Sequence, residues 1–227
     1  MVIRRLPEEG SLVRGRSRCE HCGAVLTVRD LVPFASWLAT AGRCRHCGAR
    51  LGWFYPAVEL AALALALIAL GVDHGAAAWL DFLLGCWLLA LGWIDVDHGV
   101  LPDSLTLPLI AVGLLVVGTL QPDDVADRVP GAALGYLFLA GVAWAYRRLR
   151  GREGLGLGDA KLFAAAGAWV GAFALPSVLL GAAVSALAAA AVMVLCGRSL
   201  SRSSALPFGP FLAAATWAVW LYGPIRF

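Results

Sequence analysis

Gly154-Leu155-Gly156-Leu157-Gly158-Asp159-Ala160-Lys161 is the stretch on which the reading of this chain turns. Alternating glycines end in an acid and a lysine, and a long apolar run follows at once. A carboxylate at the boundary of a membrane segment is costly and marks function by default. The glycines strip side chains from its approach, so that another backbone can come close. The apolar run continues from residue 160 to 196. As one helix it would measure about 54 Å at about 1.5 Å per residue, against about 30 Å of hydrocarbon. The run is therefore read as two helices, with the break expected at Leu175-Pro176-Ser177.

Working outward, the 227 residues are 60% hydrophobic and 15% charged. Soluble domains carry about 25% charged residues, so the composition excludes a soluble enzyme and implies an integral membrane protein. Apolar runs suited to spanning fall near 56–72, 76–94, 104–120, 129–146, 160–175, 177–196 and 206–222. Lipid admits only helices and closed barrels, and the period-2 alternation of a barrel is absent. The fold expected is all-α, a polytopic membrane helix bundle of about seven transmembrane helices. A small polar domain, residues 1–52, precedes the membrane domain, residues 53–227. Met1-Val2-Ile3-Arg4-Arg5-Leu6-Pro7 offers no apolar core of a signal peptide, so no cleavable leader is expected.

Charge sets the orientation. Only one of the eighteen basic residues is lysine, and nine arginines lie in the first 52 residues. With that block cytosolic and seven spans after it, sixteen basic residues fall on the cytosolic side. Only Arg128 and Arg226 fall on the far side. This is the positive-inside pattern, so the arginines read as topology and no nucleic-acid partner is expected. It also puts Asp159 and Lys161 at the cytosolic end of the fifth span.

Six cysteines are present. Cys86 and Cys196 sit alone in apolar segments and read as small hydrophobic side chains. The other four form a short internal repeat, Cys19-Glu20-His21-Cys22-Gly23-Ala24 and Cys44-Arg45-His46-Cys47-Gly48-Ala49. Two C-x2-C knuckles 21 residues apart offer four thiolates to a tetrahedral ion, zinc by preference. Gly23 and Gly48 follow each second cysteine, where a tight turn brings amides toward sulfur. In a reducing cytosol this reading is favoured over two disulfides.

One acid is not a catalytic pair. The second appears at the end of the second span, in Ile94-Asp95-Val96-Asp97-His98-Gly99-Val100-Leu101-Pro102-Asp103, on the same side of the membrane. Asp95 lies nearest the apolar run and is expected to be the more buried. Asp97 points away from it on a helix, His98 reads as a loop residue, and Asp103 suits a turn or the N-cap of the third span. Two carboxyls held close share a proton. The ionised one can then activate water while the protonated one polarises a carbonyl. Lys161 either balances the charge of this site or extends its amine to the interface. A carrier that moves protons or cations on the same acids, and a non-catalytic scaffold bearing a zinc domain, are the alternative readings.

Gly156-Leu157-Gly158-Asp159 with Lys161 resembles the G-x-G-D motif of the intramembrane aspartic peptidases, and the chain is similar to the bacterial type IV prepilin peptidases. Asp95, six residues before the apolar residue of the Leu101-Pro102-Asp103 step, resembles the first aspartate motif of that family. The similarity extends to Arg5-Leu6-Pro7, both cysteine pairs, Tyr55-Pro56 with Glu59, and Leu206-Pro207-Phe208-Gly209-Pro210-Phe211. It implies a bacterial inner-membrane aspartic endopeptidase with Asp95 and Asp159 as catalytic acids and Gly156, Gly158 and Lys161 lining the substrate approach. Its substrates would be type IV prepilins or pseudopilins, embedded in membrane lipid, cut after a glycine at the cytosolic face. It also implies structural zinc on Cys19, Cys22, Cys44 and Cys47, and N-methylation of the new terminus with S-adenosylmethionine. Members of the family carry one more hydrophobic segment ahead of the Arg-x-Leu-Pro region, which this sequence does not show. The peptidase is accordingly the firmer expectation. No glycine-rich cofactor fingerprint is present, and no methyl-donor residues are assigned.

Overall fold

The computed structural model describes residues 18–19, 21–32, 35–151, 154–197 and 206–225. Arg5-Leu6-Pro7, and Arg152, Arg198, Arg202 and Arg226 of the charge pattern, lie outside them. The helices in chain order are α1 (Ala35–Ala39), α2 (Phe54–Val72), α3 (Ala76–His98), α4 (Asp103–Leu120), α5 (Val125–Arg150), α6 (Leu157–Val170), α7 (Leu175–Leu195) and α8 (Gly209–Tyr222). Single 3-10 turns occupy Val28–Leu31 and Pro122–Asp124. The only β-pairing among the described residues is two isolated bridges, Arg18 with Val25 and Arg43 with Arg50. The all-helical expectation holds.

Each apolar run becomes a helix, but not every helix is long enough to cross. Five stretches among the described residues, in α2, α3, α4, residues 122–150 and α7, have the length and hydropathy of a span. Helices α6 and α8 have 14 residues each, about 21 Å of length, short of a bilayer core. The expected break at Leu175-Pro176-Ser177 is corrected. Helix α6 ends at Val170, Gly171 turns the chain with φ 88°, and α7 begins at Leu175. Pro176 sits in the first turn of α7, where it lacks only an amide that would have no partner. It starts a helix and does not end one.

Contacts divide the chain into two compact units, Met1–Cys86 and Trp87–Phe227. In the first, the cysteine repeat makes two matching knuckles. The amide of Gly23 donates to Cys19 O at 2.9 Å and that of Gly48 to Cys44 O at 2.8 Å. Both glycines have positive φ, 68° and 71°, as the turn requires. Asp30, held by Thr27, reaches Arg45 of the second knuckle at 3.6 Å. Trp37 of α1 packs against Trp53 with ring centroids 4.9 Å apart.

In the second unit α6 is the centre. Residues Ala160, Leu162–Trp169 and Asp159 are buried, and α4, α5, α7 and α8 all pack on it. Alanine and glycine dominate its sequence, so neighbouring backbones approach closely, as membrane helices without a hydrophobic drive between them require. A Cβ on Gly135 of α5 would stand 2.5 Å from Phe163 O, and one on Gly167 of α6 would collide with the Gly131 carbonyl. At its far end Trp169 donates from Nε1 to Leu109 O at 3.0 Å and meets Trp220 edge-on at 5.2 Å. Gly113 leaves the room for that indole, since a Cβ there would lie 2.6 Å from Nε1. Arg128 donates to Trp169 O, and Ala172 N donates to Asp127 at 3.2 Å.

The α5–α6 seam generates a test. Gly135→Val should cost about 1–3 kcal/mol by overpacking, read as a lowered melting temperature in detergent. Gly141→Val on the same helix, where nothing lies within 4 Å of a new Cβ, should leave the melting temperature near wild type.

Candidate active site and metal centre

Asp95 stands in the last turn of α3 and Asp159 in the first turn of α6. Both are nearly buried, with 7% and 9% of their surface exposed. Asp97 and His98, two and three residues beyond Asp95, are exposed. The spacing argument therefore selects the acid that the fold withdraws from solvent. The two carboxyls share one electrostatic environment, the charge of Asp95 being felt at Asp159. Positions 64 residues apart in sequence are thus brought into electrostatic contact within the second unit.

A third helix end completes the site. The amide of Gly209, the first residue of α8, donates to Asp95 Oδ2 at 3.0 Å. A Cβ at position 209 would lie 2.6 Å from that oxygen, so only glycine lets the α8 backbone reach the acid. The first-turn amides of a helix lack intrahelical acceptors and carry its positive pole. The α8 start therefore favours charge on Asp95. Gly92 of α3 keeps the same pair of helices close, since a Cβ there would sit 3.2 Å from Pro210 Cα. Sequence reasoning quoted Leu206–Phe211 only as part of a resemblance and gave Gly209 no role. Glycine followed by proline at the head of an apolar run was the signal available.

The glycine run divides its labour. Gly156 is exposed, and a Cβ there would lie 3.7 Å from Asp159 Oδ2, so this glycine leaves open the solvent side of the acid. Gly158 instead admits Leu101, whose Cβ would be 3.0 Å from a side chain at that position. The Leu101-Pro102 step and the glycine motif are thereby packed on one another. Lys161 donates to Asp103 Oδ1 at 2.5 Å. Asp103 is the first residue of α4, with Pro102 at the cap position. The ion pair ties the start of α4 to the first turn of α6 beside Asp159. It is a partner that residue spacing could not show, since 58 positions separate the two.

The four repeat cysteines form one cluster. Their sulfurs all lie within 4.8 Å of one another, with Cys19 and Cys47 at 4.0 Å. Four Zn–S bonds of about 2.3 Å in a tetrahedron set S···S edges of about 3.8 Å, so the donor set fits a structural zinc ion. Backbone amides of Cys47 and His46 donate to the Cys44 sulfur and hold its thiol down at about 6. Thiolate is the ligating form, so at neutral pH Cys44 is ready to bind a cation.

Comparison with known proteins matches residues 1–72 to the Bacterial Peptidase A24 N-terminal domain. Residues 82–196 match the type IV leader peptidase family. Three similar proteins are named "Prepilin leader peptidase/N-methyltransferase". One from Burkholderia pseudomallei (strain K96243) is 47% identical over 96% of this chain and 71% of its own length. One from Aeromonas salmonicida (strain A449) is 42% identical over 95% and 74%. One from Pseudomonas aeruginosa is 40% identical over 94% and 73%. No solved structure matches the chain significantly.

The metal centre yields its own test. Elemental analysis of the purified protein should give one zinc per chain, and Cys44→Ser should lose most of it. Full zinc content in that variant would remove Cys44 from the ligand set.

Proposed function

This chain belongs to the type IV leader peptidase family, and from that premise we propose that Asp95 and Asp159 are the acids with which it cleaves prepilin leaders. The observation that carries the assignment is the burial of both acids, in electrostatic contact, where three helix ends meet. Carboxyls in such a place share one proton. The ionised carboxylate takes a proton from water, and the water oxygen attacks the scissile carbonyl carbon. The protonated partner gives its proton to the carbonyl oxygen. As the tetrahedral intermediate collapses, the C–N bond breaks, the leaving nitrogen takes a proton from the acid that had gained one, and the other aspartate takes back a proton from a hydroxyl of the intermediate, restoring the shared proton. The Gly209 amide and the α8 dipole favour Asp95 as the partner that starts ionised.

Substrates of this kind are membrane-anchored chains whose basic leader meets the cytosolic face. With the nine arginines of residues 1–52 on the cytosolic side, crossings by α2 and α3 bring the α3 end back to that face, and crossings by α4 and residues 122–150 bring the α6 start there. Gly156 leaves Asp159 open to an extended backbone, and the Lys161–Asp103 pair supports the rim. In the polar domain at residues 1–52, Cys19, Cys22, Cys44 and Cys47 would hold zinc as a structural ion, all four ligands coming from the protein. Methylation of the new terminus, as in the names of the relatives, would draw on S-adenosylmethionine. A carrier using the same acids remains the second reading, and it predicts ion flux without proteolysis.

Co-expression with a prepilin and the size shift on leader removal test the assignment. Asp95→Asn and Asp159→Asn should each lower cleavage by roughly 100-fold or more, with the protein still inserted and zinc-loaded. Asp97→Asn should cleave at close to the wild-type rate. Gly209→Ala keeps both acids but displaces Asp95, and should lower cleavage by roughly tenfold or more. Full cleavage in either acid variant would remove that residue from the mechanism.

A further inference from the structure

The segment from Leu31 to Ala41 is apolar but too short to cross a bilayer, and neither the paired acids nor the metal centre uses it. An apolar stretch of that length is a core helix or an interfacial one. Helix α1 is not a core helix, since none of its residues is buried. Its two sides differ. Ser36, Trp37 and Thr40 line a cavity of about 250 Å³ together with residues of both cysteine knuckles. Val32, Ala35, Leu38 and Ala39 are exposed, Val32 to 44% and Leu38 to 68%. The amide of Ser36 donates to Val32 O at 3.2 Å, so Val32 stands one turn ahead, and the four positions share one face of the helix. The apolar side therefore turns away from the polar domain, the reverse of a helix in a soluble protein.

Two observations identify what lies against that face. The first is its place in the chain. Trp53 is 75% exposed, and its ring meets that of Trp37 at 4.9 Å. It immediately precedes α2, which has 19 residues and the hydropathy of a span, about 28 Å at about 1.5 Å per residue. Trp53 thus stands where the chain enters the bilayer, the level at which tryptophan rings collect. The ring contact holds α1 at that level. The amide of Gly42 donates to Trp37 O at 2.8 Å, and that of Leu51 to Gly42 O at 2.7 Å, so α1 is also tied to the chain on both sides of the second knuckle. The second observation is charge. Residues 1–52 hold nine arginines and four acids. Arg43 and Arg50, bridged through their backbones, are exposed. Neither pairs with a carboxylate among the described residues.

We propose that α1 and Trp53 form an interfacial anchor that seats the cysteine-knuckle domain on an anionic bilayer surface. Val32 and Leu38 enter the boundary between headgroups and acyl chains, Trp53 lies among the headgroups, and Arg43 and Arg50 meet lipid phosphates. Scattered apolar residues on a surface are ordinary, but a wholly apolar helix face beside the mouth of a span marks an interaction site. A second copy of the chain could cover that face. It would not account for its level at the start of α2, nor for guanidiniums left without carboxylates. The anchor goes beyond the catalytic reading and is independent of it, because it involves neither aspartate.

The test uses the full, zinc-loaded chain in nanodiscs of phosphatidylethanolamine and phosphatidylglycerol. The photoreactive residue p-benzoylphenylalanine replaces Leu38 or, as an exposed control in the second knuckle, His46, and zinc content equal to wild type shows that the domain is folded. On illumination, lipid adducts read by mass spectrometry should form at position 38 roughly fivefold or more above position 46. In discs of phosphatidylcholine alone, the yield at 38 should fall roughly threefold or more. Arg43→Gln combined with Arg50→Gln should lower it similarly in the anionic discs. The unmodified chain gives an independent readout: hydroxyl radicals should oxidise Leu38 more slowly in anionic discs than in phosphatidylcholine discs, by a similar factor. Equal adduct yields at 38 and 46, or equal yields in the two kinds of disc, would overturn the proposal. Adducts at 38 to a second copy of the chain in place of lipid would overturn it too, and would mark α1 as a protein interface.

Discussion

The second unit depends on keeping carboxyl groups among apolar helices. An acid withdrawn from water must find a hydrogen bond, a countercharge or a proton. Asp95 finds the Gly209 amide, at the positive end of α8, across 114 positions of sequence. That contact demands a residue without a side chain at 209, and Gly92 in turn lets α3 and α8 approach. Much of the local sequence is therefore fixed by one hydrogen bond. Glycine is required as the first residue of α8 because a side chain there would push the acid aside.

The same economy of side chains explains α6. Helix α5 touches it backbone to backbone through Gly131, Gly135 and Gly167, and its apolar surface is buried almost throughout. A helix held so closely on several sides presents its first turn in a fixed position. Asp159 is in that turn, and Lys161, two residues on, reaches Asp103 at the start of α4. Both α6 and α8 have only 14 residues, too few to cross alone, and it is their first turns that reach the acids. Shortness places helix ends, with their free amides, where a full-length helix would present only closed backbone.

The sequence was most legible where chemistry and composition coincide. The apolar runs foretold every long helix, and the repeat of C-x2-C-Gly-Ala foretold two identical turns and a four-sulfur cluster. Burial of Asp95 but not Asp97 followed from distance to the apolar run. Other features were hidden for physical reasons. Pro176 reads as a break in a linear scan, yet in space it opens a helix, while Gly171 makes the turn. Lys161 with Asp103 and Asp95 with Gly209 are long-range pairs, and no local periodicity encodes them. Gly158 looks like part of an open loop, but its missing side chain is filled by Leu101. The cavity of the N-terminal unit is assembled from residues scattered between Arg18 and Glu59, each unremarkable alone.

The central claim is that positions 95 and 159 face one another in the assembled membrane unit. Paired cysteine substitution in membranes measures this directly, with a mercuric ion or a short oxidative treatment as the bridge. The native cysteines are left in place and the link is read after a protease cut between α3 and α6. Asp95→Cys with Asp159→Cys should join the two fragments, and Asp97→Cys with Asp159→Cys should not. Efficient linkage through position 97 and none through 95 would contradict the account.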